Sequence, residues 1–287
     1  MFIKFKNVNY IYDVNSGCPI RALKNIDLEV NPGEFICITG PTGSGKTTLI
    51  QHINGLLKPT TGRLFLDNAE ISYTHEALQK IRSQIGLLFQ FPEDQLFEET
   101  VYKDIAFAPS KLPFYTMGDI PAKVAQAMAM VRLPYEQFKD VAPMKLSGGQ
   151  KRRAALAGVL VMEPKVLILD EPTVGLDPLG KEEIMDVICR INKSGTTVIM
   201  ITHEVELIAE HAGRIVAMDN GKIVLDGTPN KILNRINLLR ELNLDIPEPA
   251  YIAEQLSING WKLPNNIVRW RDLEYSIINL WNKRREL

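Results

Sequence analysis

Gly40-Pro41-Thr42-Gly43-Ser44-Gly45-Lys46-Thr47, with Thr48 directly behind it, is the stretch from which the rest of this 287-residue chain is read. It fits GxxxxGK[ST], a pattern whose glycines let successive backbone N–H groups converge on a polyphosphate. The near-continuous apolar run Phe35 to Thr39 precedes it and a helical stretch follows, giving the order strand, loop, helix. A helix N-terminus offers an anion only about 0.3–2 kcal/mol, too little to hold a triphosphate, so further charge has to come from side chains. Lys46 supplies a cation near the β and γ phosphates, and the Thr47 hydroxyl supplies one oxygen ligand for an octahedral Mg2+. A glycine-rich turn matching by chance would have no need of the flanking strand and helix.

Working outward, Val166-Leu167-Ile168-Leu169-Asp170-Glu171 places two carboxylates where a buried strand emerges, as in a Walker B pair. Asp170 would reach Mg2+ directly or through water. Glu171, one residue on, points to the other face of an extended chain and is the candidate general base. Two acids after an apolar run are as often a solvated strand end, so the phosphate loop upstream carries this assignment. Ile85 to Phe89 and Val198 to Ile201 are further short apolar runs separated by helical segments, a spacing that predicts a parallel sheet. Between Phe91 and Met162 the reading is mostly helical, broken at Pro109, Pro113, Pro121, Pro134 and Pro143, which predicts an inserted helical subdomain over about 91–162. After Asp226-Gly227-Thr228-Pro229 come helical pieces broken at Pro247, Pro249 and Pro264, and all three tryptophans, Trp261, Trp270 and Trp281, lie there.

Composition excludes several classes. With 33 basic and 34 acidic residues the formal net charge is −1, without the basic field that nucleic-acid binders use. Hydrophobic residues at 45% and charged ones at 23% match a globular protein and exclude long disorder. The longest apolar run, Ala154 to Met162, falls far short of the roughly 20 residues a spanning helix needs. The N-terminus shows no secretory pattern, which predicts a cytoplasmic chain. Cys18, Cys37 and Cys189 have no metal-binding spacing and read as structural thiols.

Leu146-Ser147-Gly148-Gly149-Gln150 narrows the field. Ser147 can cap the helix that follows, while Gly148 and Gly149 let backbone N–H groups approach a phosphate closely. Together with the phosphate loop and the Walker B pair, this segment resembles the signature motif of the ATP-binding-cassette (ABC) family. The resemblance implies a P-loop α/β nucleotide-binding domain over about 1–230, with a mixed, mostly parallel core sheet, an N-terminal antiparallel β subdomain and the inserted helical subdomain. A helical C-terminal extension over 231–287 would follow. It further implies ATP and Mg2+, and a signature helix (Ser147, Gly148, Gly149, Gln150) that faces the γ-phosphate held by a second cassette. Gln90 resembles the Q-loop glutamine that joins Thr47 and Asp170 at Mg2+, Gly175-Leu176-Asp177 the D-loop, and His203 the switch histidine that bonds the γ-phosphate. Tyr12 matches the aromatic that stacks on adenine, with Tyr10 as runner-up because alternation puts both on one face. His52, His75 and His211 read as bystanders. Lys151, Arg152 and Arg153 read as a solvated or packing face.

Phe89-Gln90-Phe91-Pro92-Glu93-Asp94-Gln95-Leu96-Phe97, then Thr100-Val101 and Asp104 to Phe107, resembles the ATPase subunits of energy-coupling factor (ECF) transporters, as does LSGGQKRR running into Ala157 to Leu160. Glu98-Glu99-Thr100-Val101-Tyr102 leans to the second of the two ATPase paralogues. The resemblance implies uptake of vitamins or of cobalt and nickel ions. It also implies a second ATPase subunit, as heterodimer or homodimer, a transmembrane coupling component, an exchangeable substrate-binding membrane protein, and a place on the cytoplasmic face of the membrane. Gln90 to Ala108 carries five acids (Glu93, Asp94, Glu98, Glu99, Asp104) against one base, Lys103, a field suited to a cationic docking helix. Near residues 268–284, Trp270, Leu273, Ile277, Ile278, Leu280 and Trp281 would form an apolar helix face, either packed internally or forming a contact between two ATPases. The alternatives are the ATPase of another ABC importer and a non-transport ABC ATPase acting on nucleic acid.

Overall fold

Long alternating strands open the chain. β1 (Ile3–Tyr12) pairs antiparallel with β2 (Ile20–Val30), Ile3 lying opposite Val30. The computed structural model describes residues 1–13, 18–113, 115–264 and 266–285. β3 (Phe35–Thr39) follows, then α1 (Lys46–Ile53), β4 (Thr61–Leu66), β5 (Ala69–Glu70), α2 (His75–Gln84) and β6 (Ile85–Leu88). The next span is helical: a 3-10 turn (Pro92–Gln95), then α3 (Val101–Ser110), α4 (Ile120–Met130), α5 (Tyr135–Phe138) and α6 (Gly148–Leu160). The sheet resumes with β7 (Val166–Asp170), α7 (Pro178–Lys193), β8 (Thr197–Ile201), α8 (Val205–His211), β9 (Arg214–Asp219) and β10 (Lys222–Gly227). Four helices close the chain: α9 (Pro229–Leu233), α10 (Ile236–Glu241), α11 (Glu248–Ile258) and α12 (Trp270–Arg285).

These strands form two sheets. One is antiparallel, in the order β2-β1-β4-β5. The other has the order β10-β9-β3-β8-β7-β6, parallel from β9 through β6, with β10 antiparallel at its edge. This is the mixed, mostly parallel core sheet and N-terminal antiparallel layer that the motifs imply. Every residue of β3, β7 and β8 is buried, which is why those strands read as unbroken apolar runs rather than as alternations. The pleat divides them between two cores. Phe35, Cys37, Leu167 and Leu169 face the cluster shared with the helical segment, whereas Ile36, Ile38, Val166 and Ile168 face α1 and the antiparallel sheet. A rigid sheet buried on both faces leaves its strand ends as the place for a ligand, since the loops there need not pack. The loop after β3, Gln90 after β6, Glu171 after β7 and His203 after β8 all lie at that edge.

A third, smaller core joins α11 and α12 through Ala253, Leu263, Ile267 and Leu273. In α12 the expected apolar face splits. Leu273 is buried, with Ile277 and Leu280 packed beside it, while Trp270, Ile278 and Trp281 remain about half exposed. No helix among the described residues is long and apolar enough to cross a membrane.

β1 meets β4 at an irregularity between Lys6 and Asn9, where Gly62 has φ +87° and a Cβ would lie 2.2 Å from the Asn7 carbonyl oxygen. Gly62→Ala therefore costs about 1–3 kcal/mol of unfolding stability, read as a lowered midpoint in urea; an unchanged midpoint would contradict this packing.

Candidate functional site

The loop between β3 and α1 is held open by backbone geometry. Gly40 has φ +145°, and a Cβ there would meet the Met218 carbonyl oxygen at 2.1 Å, so the tight approach to β9 admits no side chain. The turn between β9 and β10 is sewn to the same loop: the Gly221 N–H donates to Ser44 O at 3.0 Å and the Lys24 N–H to Gly221 O at 2.8 Å. In the space above lies a cavity of about 410 Å3, lined by Tyr12, Arg21, Lys24, Lys46, Thr47 and Thr48 among others. Lys46 Nζ donates to Gly40 O at 2.7 Å and to Pro41 O at 2.9 Å. Burial lowers its pKa, and the nearby Glu171 and Asp170 carboxylates oppose that shift. Among the described residues the buried Ser44 hydroxyl has no hydrogen-bond partner, an orphan at the centre of the phosphate loop. Tyr12 hydroxyl and Thr48 Oγ1 lie 3.1 Å apart, and the Tyr10 ring stands edge-on between Tyr12 and buried His52, 4.8 Å from each. Tyr12 lines the cavity; Tyr10 packs against the core beneath it.

Thr47 Oγ1 donates to Asp170 Oδ2 at 3.2 Å. Two adjacent oxygens of an octahedral Mg2+ at 2.0–2.1 Å would stand about 2.9 Å apart, so this pair suits a magnesium-sized ion with little movement. Burial raises the Asp170 pKa, against the lowering effect of the Thr47 hydrogen bond; a cation at that point would favour the ionised form. Gln90 is exposed just beyond β6.

Glu171 departs from the sequence expectation in its conformation. It is not an alternating member of the strand but takes the left-handed backbone, φ +50°, with its N–H donating to Ile201 O at 3.0 Å. That turn, rather than strand alternation, separates the two carboxylates, and such strain recurs at functional sites. Glu171 Oε1 lies 2.9 Å from His203 Nδ1, whereas Oε2 is buried with no partner among the described residues. The hydrogen bond to Glu171 raises the His203 pKa above the ordinary histidine value. Behind His203, Glu204 accepts from Thr173 Oγ1 at 2.6 Å and pairs with Lys181, joining the segments after β7 and β8 to α7.

The signature segment builds its own structure. Ser147 Oγ accepts from the Gln150 N–H at 3.3 Å while the Gln150 side chain accepts from the Ser147 N–H at 2.9 Å, a complete capping box for α6. Gly148 and Gly149 have no left-handed φ, and a Cβ on either would meet nothing within 4 Å, so the fold of this chain does not itself require glycine there. They line a separate cavity of about 520 Å3, with Phe91, Glu93, Arg152 and Asp177, that shares no residue with the phosphate-loop cavity. Asp177 caps α7, accepting from the Gly180 N–H at 2.8 Å. Of the two readings of Lys151, Arg152 and Arg153, a solvated or a packing face, Arg152 takes the packing one: it is 3% exposed and bonded to Glu93 and two carbonyls, while Arg153 pairs with Glu183 on α7.

Of the other histidines, His52 is buried with Nδ1 2.7 Å from Thr48 O, and His211 Nδ1 lies 3.4 Å from Cys189 Sγ. Among the described residues no disulfide forms and no cluster of three or more His, Cys, Asp or Glu side chains is arranged to hold a metal. Arg21, Lys24 and the Asn220-Gly221 turn line the nucleotide-sized cavity without any motif to announce them. The acidic stretch 90–108 is less open than its composition suggests. Glu93 is paired with Arg152, Asp104 accepts from the Phe97 and Glu98 N–H groups at 2.9 Å each, and Glu99 pairs with Lys103. Beside them Phe97 and Phe107 stack edge-on at 4.9 Å, both exposed.

Comparison with known proteins agrees with this geometry. Residues 23–174 match the ABC transporter family model. The chain is 42% identical over 285 residues, 99% of each chain, to the energy-coupling factor transporter ATP-binding protein EcfA2 of Clostridium tetani. Among solved structures it resembles CbiO1 of Clostridium perfringens, part of the ABC transporter complex CbiONQ, with a TM-score of 0.74, 38% identity, and coverage of 88% of this chain and 98% of that one. It also resembles the ATP-binding cassette MJ0796, a dimer in a post-hydrolysis state bound to ADP and Pi, with a TM-score of 0.70, 30% identity and coverage of 79% and 98%. The phosphate loop, the Asp170-Glu171 pair and the capped signature helix thus stand in a chain that belongs to the ABC transporter ATPases, among the ATP-binding subunits of energy-coupling factor transporters.

Proposed function

We propose that this chain binds MgATP in the Tyr12, Gly40–Thr48 cavity and hydrolyses it only when the signature segment of a second ATP-binding subunit closes over the phosphates. The observation that carries this reading is the separation of the two cavities: the phosphate loop and Ser147-Gly148-Gly149 line different spaces in one chain. A head-to-tail pair would bring each signature to its partner's nucleotide, and the dimeric state of the MJ0796 cassette supports that arrangement. Gly148 and Gly149, where a Cβ would meet nothing within 4 Å among the described residues, suit the close approach of a phosphate from outside the chain.

Within each half-site the roles follow from chemistry. Tyr12 stacks on adenine, the backbone N–H groups of the glycine-rich loop and Lys46 hold the β and γ phosphates, and Thr47, Asp170 and Gln90 would hold Mg2+. The ion supplies charge neutralisation on the phosphates. Glu171 takes the proton from the attacking water through its unpartnered Oε2, and His203 holds Oε1 and bonds the γ-phosphate as its charge develops. Asp177 faces the partner across the interface. Loss of the γ-phosphate removes the groups both halves bind, so the pair opens.

The chain would work at the cytoplasmic face of the membrane beside a second ATPase of the same family, as heterodimer or homodimer. Its other partners would be a transmembrane coupling component and an exchangeable substrate-binding membrane protein, with vitamins or cobalt and nickel ions as cargo and no nucleic acid involved. The EcfA2 relatives and the CbiONQ neighbour support this. The exposed Phe97–Phe107 pair with Asp94, Glu98 and Glu99 around it offers a cationic coupling helix an aromatic seat and opposite charge. Residues 231–287 would form a helical extension, with Trp270, Ile278 and Trp281 available for contact between ATPases.

Glu171→Gln removes the base and keeps the shape of the site. It is expected to bind ATP, to hydrolyse it at least 100-fold more slowly, a loss within the usual range for a general base, and to accumulate as a closed dimer on gel filtration with MgATP. The same substitution should lower the titration midpoint of the His203 imidazole by NMR, because its raised pKa rests on that carboxylate; wild-type turnover or an unmoved midpoint would remove Glu171 from the role. Glu98→Lys with Glu99→Lys should weaken co-purification with the membrane component while leaving nucleotide affinity intact, and undiminished co-purification would contradict the docking site.

A further inference from the structure

Arg152 lies on α6 five residues after Ser147 and is 3% exposed, an unusual place for a permanent charge. Burying a guanidinium is costly unless its donors are filled, and here they are filled by two different loops. Nη2 lies 3.0 Å from Glu93 Oε1 and Nε 3.3 Å from Oε2, a bidentate pair. Nη1 donates to Pro172 O at 3.2 Å and to Val174 O at 2.5 Å. Glu93 sits in the 3-10 turn three residues after Gln90, and Pro172 and Val174 lie between Glu171 and Asp177. One side chain therefore ties together the segment that leaves Gln90, the helix that carries the signature and the segment that leads to Asp177. Arg152 and Glu93 also line the signature cavity, and neither lines the phosphate-loop cavity.

We infer that the Arg152–Glu93 pair is a strut that sets how Ser147, Gly148 and Gly149 are presented to the partner's nucleotide, making Arg152 and Glu93 positioning residues for hydrolysis in the neighbouring half-site. This rests on the composite site proposed above. A planar fork makes all four bonds at once, and an ammonium cannot, so Arg152→Lys keeps the charge but loses the geometry. Glu93→Gln keeps the shape and loses the charge. Because the strut lies away from the phosphate loop, its loss should act on turnover and not on binding within the same chain.

The test uses each variant in the full chain and in the complex assembled with the second ATPase and the membrane components. The chain alone should bind a fluorescent ATP analogue within twofold of wild type. In the complex, kcat for MgATP should fall at least fivefold with KM within twofold, and the double variant should be within twofold of the more impaired single. Turnover within twofold of wild type in both singles would overturn the strut. So would losses that multiply in the double, or a fall in kcat matched by an equal loss of analogue affinity. If Arg152→Lys fails to fold, Glu93→Gln, on a carboxylate one quarter exposed, carries the same comparison. A wild-type complex that hydrolyses ATP without uptake would contradict the transport function and leave the comparison of turnover in force.

Discussion

A triphosphate carries more charge than one loop can neutralise, and the architecture of this chain follows from that constraint. Gly43, Gly45, Lys46 and Thr47, the last bonded to Asp170, line one cavity. The helix best built to meet such an anion from the other side, α6 with its capped N-terminus, opens into a different cavity. One chain therefore holds these two sets of groups in separate cavities. In the composite site proposed above, association would become part of the chemistry, because low-dielectric contacts would strengthen only when both sets of donors enclose the same phosphates.

The buried strands behind the site and the turns at its edge come from different parts of the sequence. The fully buried strands β3, β7 and β8 fix the origin of the phosphate loop, of Glu171 and of His203, whose spacing then depends on short turns rather than on long side chains. Glu171 illustrates the principle. Its left-handed backbone leaves Oε1 with His203 and Oε2 without a partner, so a costly conformation and an unsatisfied oxygen occur at the same residue. Glu204, Lys181 and Thr173 on one side, and Arg152 with Glu93 on the other, brace the segments that flank it.

The groups that chemistry requires were legible in the sequence because their signals are local. A glycine-rich loop after an apolar run, two acids at a strand end and a serine capping a helix can each be recognised within eight residues. What stayed hidden depends on contacts between distant residues. The buried strand β9 gave no motif, and Arg21 and Lys24 reach the cavity only because β2 passes beside the β9–β10 turn. Charge counting erred in the acidic stretch for the same reason. Glu93 and Asp104 belong to internal networks rather than to an open acidic field, and the buried Glu93–Arg152 pair decides between the solvated and packing readings of Arg152. The antiparallel sheet followed from family resemblance alone, since positive φ at Asn7 and Asn25 marks irregularities that interrupt strand alternation.

The central claim, that catalysis needs two cassettes around one nucleotide, is tested most directly by measuring ATP turnover per chain across a dilution series, with the oligomeric state followed at each concentration. The account predicts that turnover per chain falls in parallel with the dimer population as monomers come to dominate. Constant turnover per chain in solutions containing only monomers would contradict it.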